Sequence, residues 1–408
     1  MRILFVSQLF DPEYSIKGFE LMKYWVSLGH EVEVLTTFPN YPKGKVFDGY
    51  KLKFKSVEVI DGVKITRLWS HISHSKSKLS RACSYLSFTF MALYASLFSK
   101  KPDVIYTYHP QSTTGVIGIL MHALRGVPFI TDVQDLWPDS LYATGMKQKG
   151  MLVKLIDKWC KLTYSRASQV VVLSKGFKSM LIERGVPPEK INIVYNWCPE
   201  EAKIGKVLAK NKGINNLYSK DNPAVFVYAG NMGTAQSLKT IIDAVSNFDN
   251  SQIILKLVGG GVEKDSLKNY ISYKKIKNVI ISDYIPAAEI VDALNKADVL
   301  VVHLKDEPLF KITIPSKTQF SLAMGKPLLM AVGGEANGLV AEGRAGIVAE
   351  PENVESITSA IDELLQHRDK WDVLGANARA LYLNKLSAEV NYTKLNQVLS
   401  KAVSQNGS

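Results

Sequence analysis

Short apolar runs separated by amphipathic segments fill the first half of the chain. The runs have the length and the Val, Ile and aromatic content of β-strands. They are RILFVS (2–7), EVEVLT (31–36), VKITRLW (63–69), DVIYTY (103–108), PFITDV (128–133), QVVVLS (169–174) and INIVY (191–195). Residues 19–28 have helical spacing and are followed by Gly29, which can adopt the left-handed conformation that commonly ends a helix.

The second half repeats this plan. Its predicted strands are VFVYAG (225–230), IILKLVGG (253–260), NVIISDY (278–284), DVLVVHL (298–304), PLLMAV (327–332) and GIVAE (346–350). Most are continuous Val, Ile and Leu runs, which are typical of parallel strands covered on both faces. The alternation of strands and helices therefore predicts an α/β protein with two doubly wound domains.

A polar stretch after NWCPE (196–200) marks the boundary between the two halves. We predict an N-terminal domain over residues 1–196 and a C-terminal domain over residues 197–385. Residues 386–408 are expected to form a helix that returns to the N-terminal domain.

Composition narrows the class of protein. Hydrophobic residues make up 46% of the 408 residues and charged residues 22%, as in globular proteins with large cores. Cys83, Cys160 and Cys198 lack the spacing of a disulfide framework or a zinc site, so we expect a reducing cytoplasm and no metal. No secretory signal is visible, because the first apolar run (3–6) is too short.

The net charge of +12 lies mostly in the first half. Residues 1–200 carry 26 Lys and Arg against 16 Asp and Glu, whereas residues 201–408 carry 24 against 22. Such an excess suits nucleic acid, an anionic membrane surface or a polyanionic substrate. Nucleic acid is disfavoured, because the chain lacks basic stripes interleaved with aromatic residues and lacks nucleic-acid-binding motifs.

One segment of the first half joins positive charge to apolarity. SHSKSKLSR (73–81) is basic, and LSFTFMALYASLF (86–98) is almost wholly apolar but too short to span a bilayer. The segment predicts either a helix packed on the first sheet or an element that lies on a membrane surface.

Two loops of the second half have the features of an anion site. FVYAGNMGTAQSLKTIIDA (226–244) is a predicted strand that runs into Gly230 and Gly233 before a helix. Glycines let backbone N–H groups approach an anion, and the start of the helix adds its dipole.

The second of these loops is IPSKTQFSLAMGKP (314–327), a predicted loop and helix. We expect Ser316 to cap the helix and Lys317 to lie beside the positive end of its dipole. Ligands of open parallel sheets bind beyond the carboxyl ends of the strands. Both loops are therefore expected to face one crevice, where they would hold a diphosphate.

The order of these features resembles that of the retaining glycosyltransferases of family 4, which have the GT-B fold. The resemblance extends over nearly the whole chain. It is carried by LGHEVEVLTT (28–37), VQDLWPDS (133–140), VLSKGFKSML (172–181), YNW (195–197), AGNMGTAQSL (229–238), LVGGG (257–261), EIVDALNKADVLVV (289–302), IPSKTQ (314–319) and GKP (325–327). The similar branch contains bacterial O-antigen and capsule amino-sugar transferases, such as L-fucosamine transferases.

The resemblance implies two Rossmann-like domains that face a central cleft, with a UDP-sugar bound by the second domain. The residues that it assigns to the donor are Gly230, Asn231, Gly233 and Gln236 at the diphosphate, Tyr284 and Ile285 at the base, Pro315, Ser316, Lys317 and Gln319 at the phosphates and ribose, and Gly334 and Glu335 at the donor sugar. In the first domain, the loop 10–19 with Gly18 would help to form the acceptor side.

Two features common in the family are replaced in this chain. An Arg and a Lys around the phosphate loop are Asn231 and Gln236 here, and the paired glutamates are absent. We therefore expect charge neutralisation from Lys317 and the helix starts, with Lys305 or Arg344 as further candidates.

A retaining transfer needs a stabilised leaving diphosphate and an acceptor hydroxyl on the leaving-group face. No dedicated nucleophile is evident. Asp135 is our candidate for ordering the sugar or the acceptor, with the capping of a turn before Pro138 as the alternative. His109 also ends a strand, although a single histidine is more often structural.

The resemblance thus implies a hexosyltransferase that moves a sugar, expected to be an N-acetylated amino sugar, from a UDP-sugar to a polyprenyl-diphosphate-linked saccharide in O-antigen or capsule synthesis. It would act in the cytoplasm, bound peripherally to the inner leaflet, and would require no metal or cofactor. A nucleotide-sugar epimerase of the same architecture and a non-catalytic nucleotide-sugar-binding protein are the alternatives. The epimerase would not need the element at 73–98.

Overall fold

The structure is a computed structural model that describes residues 1–41, 44–72, 78–109, 112–140, 150–210 and 222–405. The chain forms two compact units. The first consists of Met1–Val194 together with Tyr392–Ser408, and the second consists of Tyr195–Asn391.

A mostly parallel sheet forms the centre of the first unit. Its strands in the described residues are β1 (Arg2–Val6), β2 (Glu31–Thr37), β3 (Lys55–Ile60), β4 (Val63–Leu68), β5 (Val104–His109), β6 (Phe129–Val133), β7 (Gln169–Val172) and β8 (Ile191–Ile193). Their order is β3-β4-β2-β1-β5-β6-β7-β8, and β3 runs antiparallel to β4. Strands β6 and β7 are buried along their whole length, as expected when helices cover both faces.

Helices pack against this sheet. They are α1 (Phe19–Ser27), α2 (Lys78–Phe98), α3 (Thr114–Arg125), α4 (Met151–Arg166) and α5 (Lys175–Glu183). Helices α2, α3 and α4 are neighbours. Arg125 of α3 donates a hydrogen bond to the carbonyl of Ser96 in α2 at 3.0 Å, and a Cβ built on Gly115 of α3 would lie 2.6 Å from Cγ2 of Thr163 in α4. None of the helices within the described ranges is both long and apolar enough to cross a membrane.

The second unit contains a wholly parallel sheet over its described residues. Its strands are β9 (Ala224–Ala229), β10 (Ile253–Val258), β11 (Val279–Ser282), β12 (Val299–His303), β13 (Leu328–Ala331) and β14 (Gly346–Val348), in the order β11-β10-β9-β12-β13-β14. Phe226 and Tyr228 of β9 and Leu255 of β10 are fully buried in the core of this unit.

Helices of the second unit follow most of its strands. They are α6 (Glu201–Lys210), α7 (Leu238–Val245), α8 (Lys264–Lys274), α9 (Ala287–Asn295), α10 (Pro308–Lys311), α11 (Ser316–Met324), α12 (Glu335–Glu342), α13 (Val354–Gln366) and α14 (Trp371–Leu381). A last helix, α15 (Ala388–Ser404), begins in this unit, and its residues from Tyr392 onward belong to the first unit. There the ring centroid of Tyr392 lies 5.2 Å from that of Tyr24 in α1.

The doubly wound α/β fold predicted from the apolar pattern is confirmed for both units. Some predicted strands are too long: those at 191–195 and 346–350 end at Ile193 and Val348. Strand β3 was not predicted. It lies at an edge of its sheet and most of its side chains are exposed, so it lacks the apolar run that marks the other strands.

Candidate functional site

Gly230 and Lys317 meet at the carboxyl end of β9. Gly230 follows that strand with a φ of 138°, and a Cβ built on it would lie 2.5 Å from Cε and 3.1 Å from Nζ of Lys317. The Lys317 ammonium also lies 5.1 Å from the ring centroid of Tyr228, and burial lowers the pKa of Lys317 to about 8. A largely buried cation therefore lies directly against the first glycine of the loop.

Backbone hydrogen bonds join the Gly230 loop to the loop after β10. The Gly230 N–H donates to the carbonyl of Val258 at 2.9 Å, and the Met232 N–H donates to that of Gly260 at 2.7 Å. Gly259 has a φ of 143°, and a Cβ there would collide with the Gly230 carbonyl oxygen. The LVGGG motif is thus needed for the close approach of two main chains, and the two loops form one rigid edge.

Asn231, Gly233 and Gln236 shape the turn after Gly230. The Gln236 Oε1 accepts hydrogen bonds from the Gly233 N–H at 3.0 Å and from the Asn231 amide at 3.4 Å. The Tyr228 hydroxyl donates to the Asn231 carbonyl at 2.6 Å. Gln236 therefore stabilises the loop internally, whereas the positive charge against Gly230 comes from Lys317.

The start of α11 differs from the prediction. Ser316 was expected to cap the helix, but Pro315 occupies the N-cap position, Ser316 is the first helical residue and no side chain caps the helix. Within the described residues, no acceptor contacts the backbone N–H groups of Ser316 and Lys317. An uncapped helix start beside a cation suits an anion better than a capped one.

Gln319 lies beneath this helix start. Its side chain is buried, its amide nitrogen is 3.5 Å from the Ile314 carbonyl oxygen, and its Oε1 has no hydrogen-bond partner among the described residues. Thr318, next to it, also has a buried and unpaired hydroxyl.

Tyr284 and Ile285 follow β11, two strands from β9. Tyr284 is 72% exposed and Ile285 is half-buried. A ring that is this exposed is available for stacking.

Gly334 and Glu335 follow β13, on the other side of β9. Gly334 has a φ of 73° and lies against the backbone of Lys311, so a side chain would not fit there. Glu335 begins α12 and shares a hydrogen bond with the Tyr195 hydroxyl. Burial and this carboxylate together raise the pKa of Tyr195 to about 12.

His303 was not singled out from the sequence. It is buried at the end of β12, its Nδ1 lies 2.7 Å from the Gln236 carbonyl oxygen, and its Nε2 accepts the Glu352 N–H at 3.1 Å. These partners require the neutral ring with the proton on Nδ1. Burial lowers the pKa of His303. His303 thus links the end of the Gly230 loop to the loop before α13. A lone histidine in the sequence does not signal this role.

Lys305 and Arg344, the further cation candidates, have different positions. The backbone N–H of Lys305 donates to the Ala235 carbonyl at 2.9 Å, so Lys305 lies beside the Gly230 loop. Arg344 lies in the turn between α12 and β14, at the amino end of a strand. The amino ends of parallel strands lie at the edge of the sheet opposite to Gly230, which follows a carboxyl end. Arg344 therefore does not neutralise charge at the Gly230 loop.

In the first unit, two candidates end neighbouring strands. His109 ends β5 in register with Val133 of β6, and its side chain lies outside the described part of the structure. Asp135 follows β6. Its side chain is partly exposed and its carboxylate accepts no hydrogen bond from any described residue, and the protein around the carboxylate raises its pKa by desolvation.

Gly18, the acceptor-side candidate, immediately precedes α1. A Cβ on Gly18 would collide with the carboxylate of Asp11, which accepts the Phe19 N–H at 2.7 Å and so caps the helix. Over the described ranges, no group of His, Cys, Asp and Glu side chains is arranged to hold a metal ion.

Known proteins resemble this chain over both units. Residues 19–197 match the family described as "Glycosyl transferase 4-like domain", and residues 210–381 match the family described as "Glycosyl transferases group 1". The chain is 25% identical over 299 residues to the probable glycosyltransferase WbjE of Pseudomonas aeruginosa. The aligned region covers 72% of this chain and 74% of WbjE.

Two further comparisons cover most of the chain. It is 25% identical over 381 residues to the putative colanic acid biosynthesis glycosyl transferase WcaI of Escherichia coli K12. The aligned region covers 90% of this chain and 92% of WcaI. The structure of Alr3699/HepE from Anabaena in complex with UDP-glucose matches with a TM-score of 0.66 and 16% identity, over 98% of this chain and 99% of that one. At this identity the structural likeness shows the fold alone.

Proposed function

Since the chain belongs to the family 4 glycosyltransferases and has their GT-B fold, we propose that it transfers a sugar, with retention of configuration, from a UDP-sugar to a lipid-linked saccharide. The product would be part of a bacterial surface polysaccharide such as O-antigen or capsule. Names of the relatives support this setting, since WcaI is described as a colanic acid biosynthesis enzyme. From the resemblance we expect the sugar to be an N-acetylated amino sugar and the acceptor lipid to be polyprenyl diphosphate.

The observation that carries the donor proposal is the meeting of Gly230 with Lys317. Three features combine there: a glycine loop, an uncapped helix start, and a largely buried ammonium that lies against Gly230. Such a combination suits a diphosphate. HepE, a protein of the same fold, binds UDP-glucose. UDP in this protein would place its diphosphate against Gly230 and Lys317, with Tyr284 toward the base and Glu335 toward the sugar.

Chemistry at this site depends on stabilising the leaving diphosphate. Each preorganised donor of this kind contributes about 2.7–4 kcal/mol to the transition state in well-studied sites. Lys317 and the N–H groups of Ser316 and Lys317 would supply these donors. Asp135 would order the acceptor hydroxyl, and the resemblance implies that the departing phosphate assists the deprotonation of that hydroxyl. We expect the reaction to need neither a metal nor a cofactor.

The membrane part of the proposal is supported by a face of α2. Its exposed apolar side chains recur every seven or four residues, which places them on one side of the helix. They are Leu79, Leu86, Phe90, Tyr94 and Phe98, each at least half exposed. The helix contains no acidic residue. Residues 73–77, which include Lys76, lie outside the described part of the structure.

A second helix, α4, has a similar face. Met151, Leu155 and Leu162 are exposed at spacings of four and seven residues. Four Lys and Arg residues lie along α4, and its single acid, Asp157, pairs with Lys161 at 2.9 Å. Apolar side chains flanked by cations suit an anionic lipid surface, so we place the enzyme on the cytoplasmic face of the membrane.

A donor panel tests the proposed reaction. Purified protein is incubated with a series of UDP-sugars and a prenyl-diphosphate-linked saccharide, and products are separated by mass. We expect transfer from one UDP-sugar with the anomeric configuration retained. Isomerisation of the donor without an acceptor would instead identify an epimerase, and binding without turnover would identify a nucleotide-sugar-binding protein.

Vesicle flotation tests the membrane part separately. Phe90→Ser with Phe98→Ser should lower binding to vesicles of equal parts phosphatidylcholine and phosphatidylglycerol severalfold, because both rings leave the lipid contact. Tyr273→Ser, at an equally exposed ring of the second unit, is the matched control. Equal binding by all three proteins would remove α2 from the proposed contact.

A further inference from the structure

Lys17 is a buried charge that the proposed reaction leaves unexplained. Its side chain is fully buried and its ammonium pairs with the equally buried carboxylate of Asp132. Tyr106 donates its hydroxyl to the same carboxylate oxygen, and the Gln134 amide donates to the other oxygen at 2.5 Å. Burial lowers the pKa of Lys17, and Asp132 opposes that shift.

These contacts join segments that are far apart in the chain. Lys17 lies in the loop between β1 and α1, whereas Asp132 lies in β6 and Gln134 directly follows it. Tyr108 of β5 reaches the same loop. Its hydroxyl accepts the backbone N–H of Lys17, and its ring centroid is 5.8 Å from the Lys17 ammonium. The loop is thus tied to the carboxyl ends of two strands.

Stability alone does not account for the pair. The desolvation of two buried charges offsets most of their attraction, and apolar replacements of similar volume are often as stable. The loop also has separate ties to the protein, because Glu13 accepts the backbone N–H groups of Asn40 at 2.6 Å and Tyr41 at 2.7 Å. What the Lys17 pair adds is a link to the strand end that carries Asp135.

We propose that Lys17 and Asp132 are positioning residues for sugar transfer. The pair sets the place of loop 10–18 relative to residues 134–135, so that an acceptor held by the loop meets the Asp135 carboxylate in one geometry. Neither residue touches substrate; both act through the loop and through Asp135. This inference rests on the proposed function, in which the loop forms the acceptor side.

The test removes both charges together. Lys17→Met with Asp132→Asn keeps the side-chain volumes and leaves an oxygen to accept the Tyr106 hydroxyl. Transfer to the lipid-linked acceptor is compared with hydrolysis of the UDP-sugar by water. We expect transfer to fall about tenfold or more, since small misplacements of reacting groups are costly. Donor hydrolysis, UDP affinity and the melting temperature should remain close to those of the wild type.

The matched control is Lys64→Met with Glu33→Gln, which removes a more exposed ion pair of 2.9 Å from the same sheet. It should leave both rates unchanged. An equal loss of transfer and hydrolysis in the Lys17 variant would reduce the pair to a structural role and overturn the proposal. Wild-type transfer by that variant would overturn it as well.

Gln134→Leu covers the case in which the double variant does not fold. It keeps the ion pair and removes the hydrogen bond from the Gln134 amide to Asp132. The ratio of transfer to hydrolysis should fall in the same direction, and an unchanged ratio would contradict the inference. Failure of the proposed function itself is distinguishable, because the wild-type protein would then neither bind UDP nor consume a UDP-sugar.

Discussion

The candidate sites of the two units are built from different groups. Around Gly230 the site consists mainly of backbone: glycine-rich turns, main-chain hydrogen bonds and the Lys317 ammonium that lies against Gly230. Around loop 10–18 the positions are set by side chains, with the buried charges of Lys17 and Asp132 at the centre. Backbone N–H groups bind any phosphate, whereas a side-chain framework has to be matched to one acceptor.

This difference suggests a division of labour. The second unit would hold the part of the donor common to all UDP-sugars, and the first unit would determine what is modified. Variants in the second unit should therefore act mainly on nucleotide binding, and variants in the first unit mainly on transfer. Five changes test this contrast.

Asp135→Asn should have the largest effect. Asp135 would orient the acceptor hydroxyl for attack, and loss of such positioning costs about a hundredfold in rate. A neutral amide holds the hydroxyl more weakly than the carboxylate does. The transfer rate is measured with saturating donor, and UDP affinity by calorimetry should not change. Asp139→Asn, in the same segment but paired with Arg184, serves as the comparison. A parallel loss of UDP affinity would break the division between the units.

Lys317→Ala should weaken UDP binding by about ten- to a hundredfold. Hydrogen bonds to charged groups contribute about 1.5–3 kcal/mol, and about 1.4 kcal/mol corresponds to a factor of ten. Calorimetric titration with UDP gives the constant. Lys274→Ala, an exposed lysine of the same unit, should bind UDP as the wild type does. Unchanged affinity in Lys317→Ala would remove Lys317 from the site.

UDP affinity should also fall with rising pH. The pKa of Lys317 is lowered to about 8 by burial, and only the protonated ammonium attracts the diphosphate. Affinity should therefore be retained at neutral pH and fall by up to about tenfold per unit above the Lys317 pKa. Bound phosphates raise that pKa in the complex, so the decline begins near the pKa of the free protein and levels off above the pKa of the complex. Lys317→Ala should lose this decline, and a wild-type affinity that stays flat would contradict it.

Gly230→Ala should lower both stability and UDP affinity. A φ of 138° is strained for alanine, and the new Cβ would displace the Lys317 side chain. Such strain costs about 1–3 kcal/mol of unfolding free energy. Gly205→Ala in α6, where a Cβ meets nothing, should instead stabilise by about 0.5–1 kcal/mol. Urea unfolding measures the change in unfolding free energy for each variant. A change of the same sign in both variants would contradict the role of Gly230.

The smallest expected effect concerns His303. Because burial lowers its pKa, the unfolded state binds the proton more readily than the folded state. The stability that His303 contributes is present above its unfolded pKa of about 6.5 and is lost as pH falls below that value toward the folded pKa. Melting temperatures of the wild type should therefore fall more steeply between neutral pH and mild acid than those of His303→Gln. Parallel curves would exclude this contribution.

The outcome of the sequence predictions depended on where each signal lies. Buried parallel strands such as β6, β7 and β12 have a local signature, the continuous apolar run, and were predicted. The convergence of Gly230 and Lys317 followed from a general rule, since both were expected beyond the carboxyl ends of parallel strands. Strand β3 has exposed side chains and could not be recognised in this way.

Details of the sites were less accessible. Ser316 has the side chain of a helix cap, but Pro315 takes that position because the helix begins one residue earlier than a Ser316 cap implies. Asn231 and Gln236 stand where cations are common in the family, and only the tertiary structure shows that Gln236 accepts the Gly233 N–H. His303 and Lys17 gave no signal at all, because their partners lie far away in the chain.

The sequence by itself therefore determined the α/β architecture, the position of the glycine-containing loop at Gly230 and the family, because these depend on short-range periodicity and on contiguous motifs. Tertiary structure alone decided which cation meets Gly230 and which carboxylate receives Lys17, and it placed Arg344 at the opposite edge of its sheet. The reason is physical: a buried charge takes its partner from whichever strand end lies beside it, and the neighbouring strand end is set by the order of strands across the sheet.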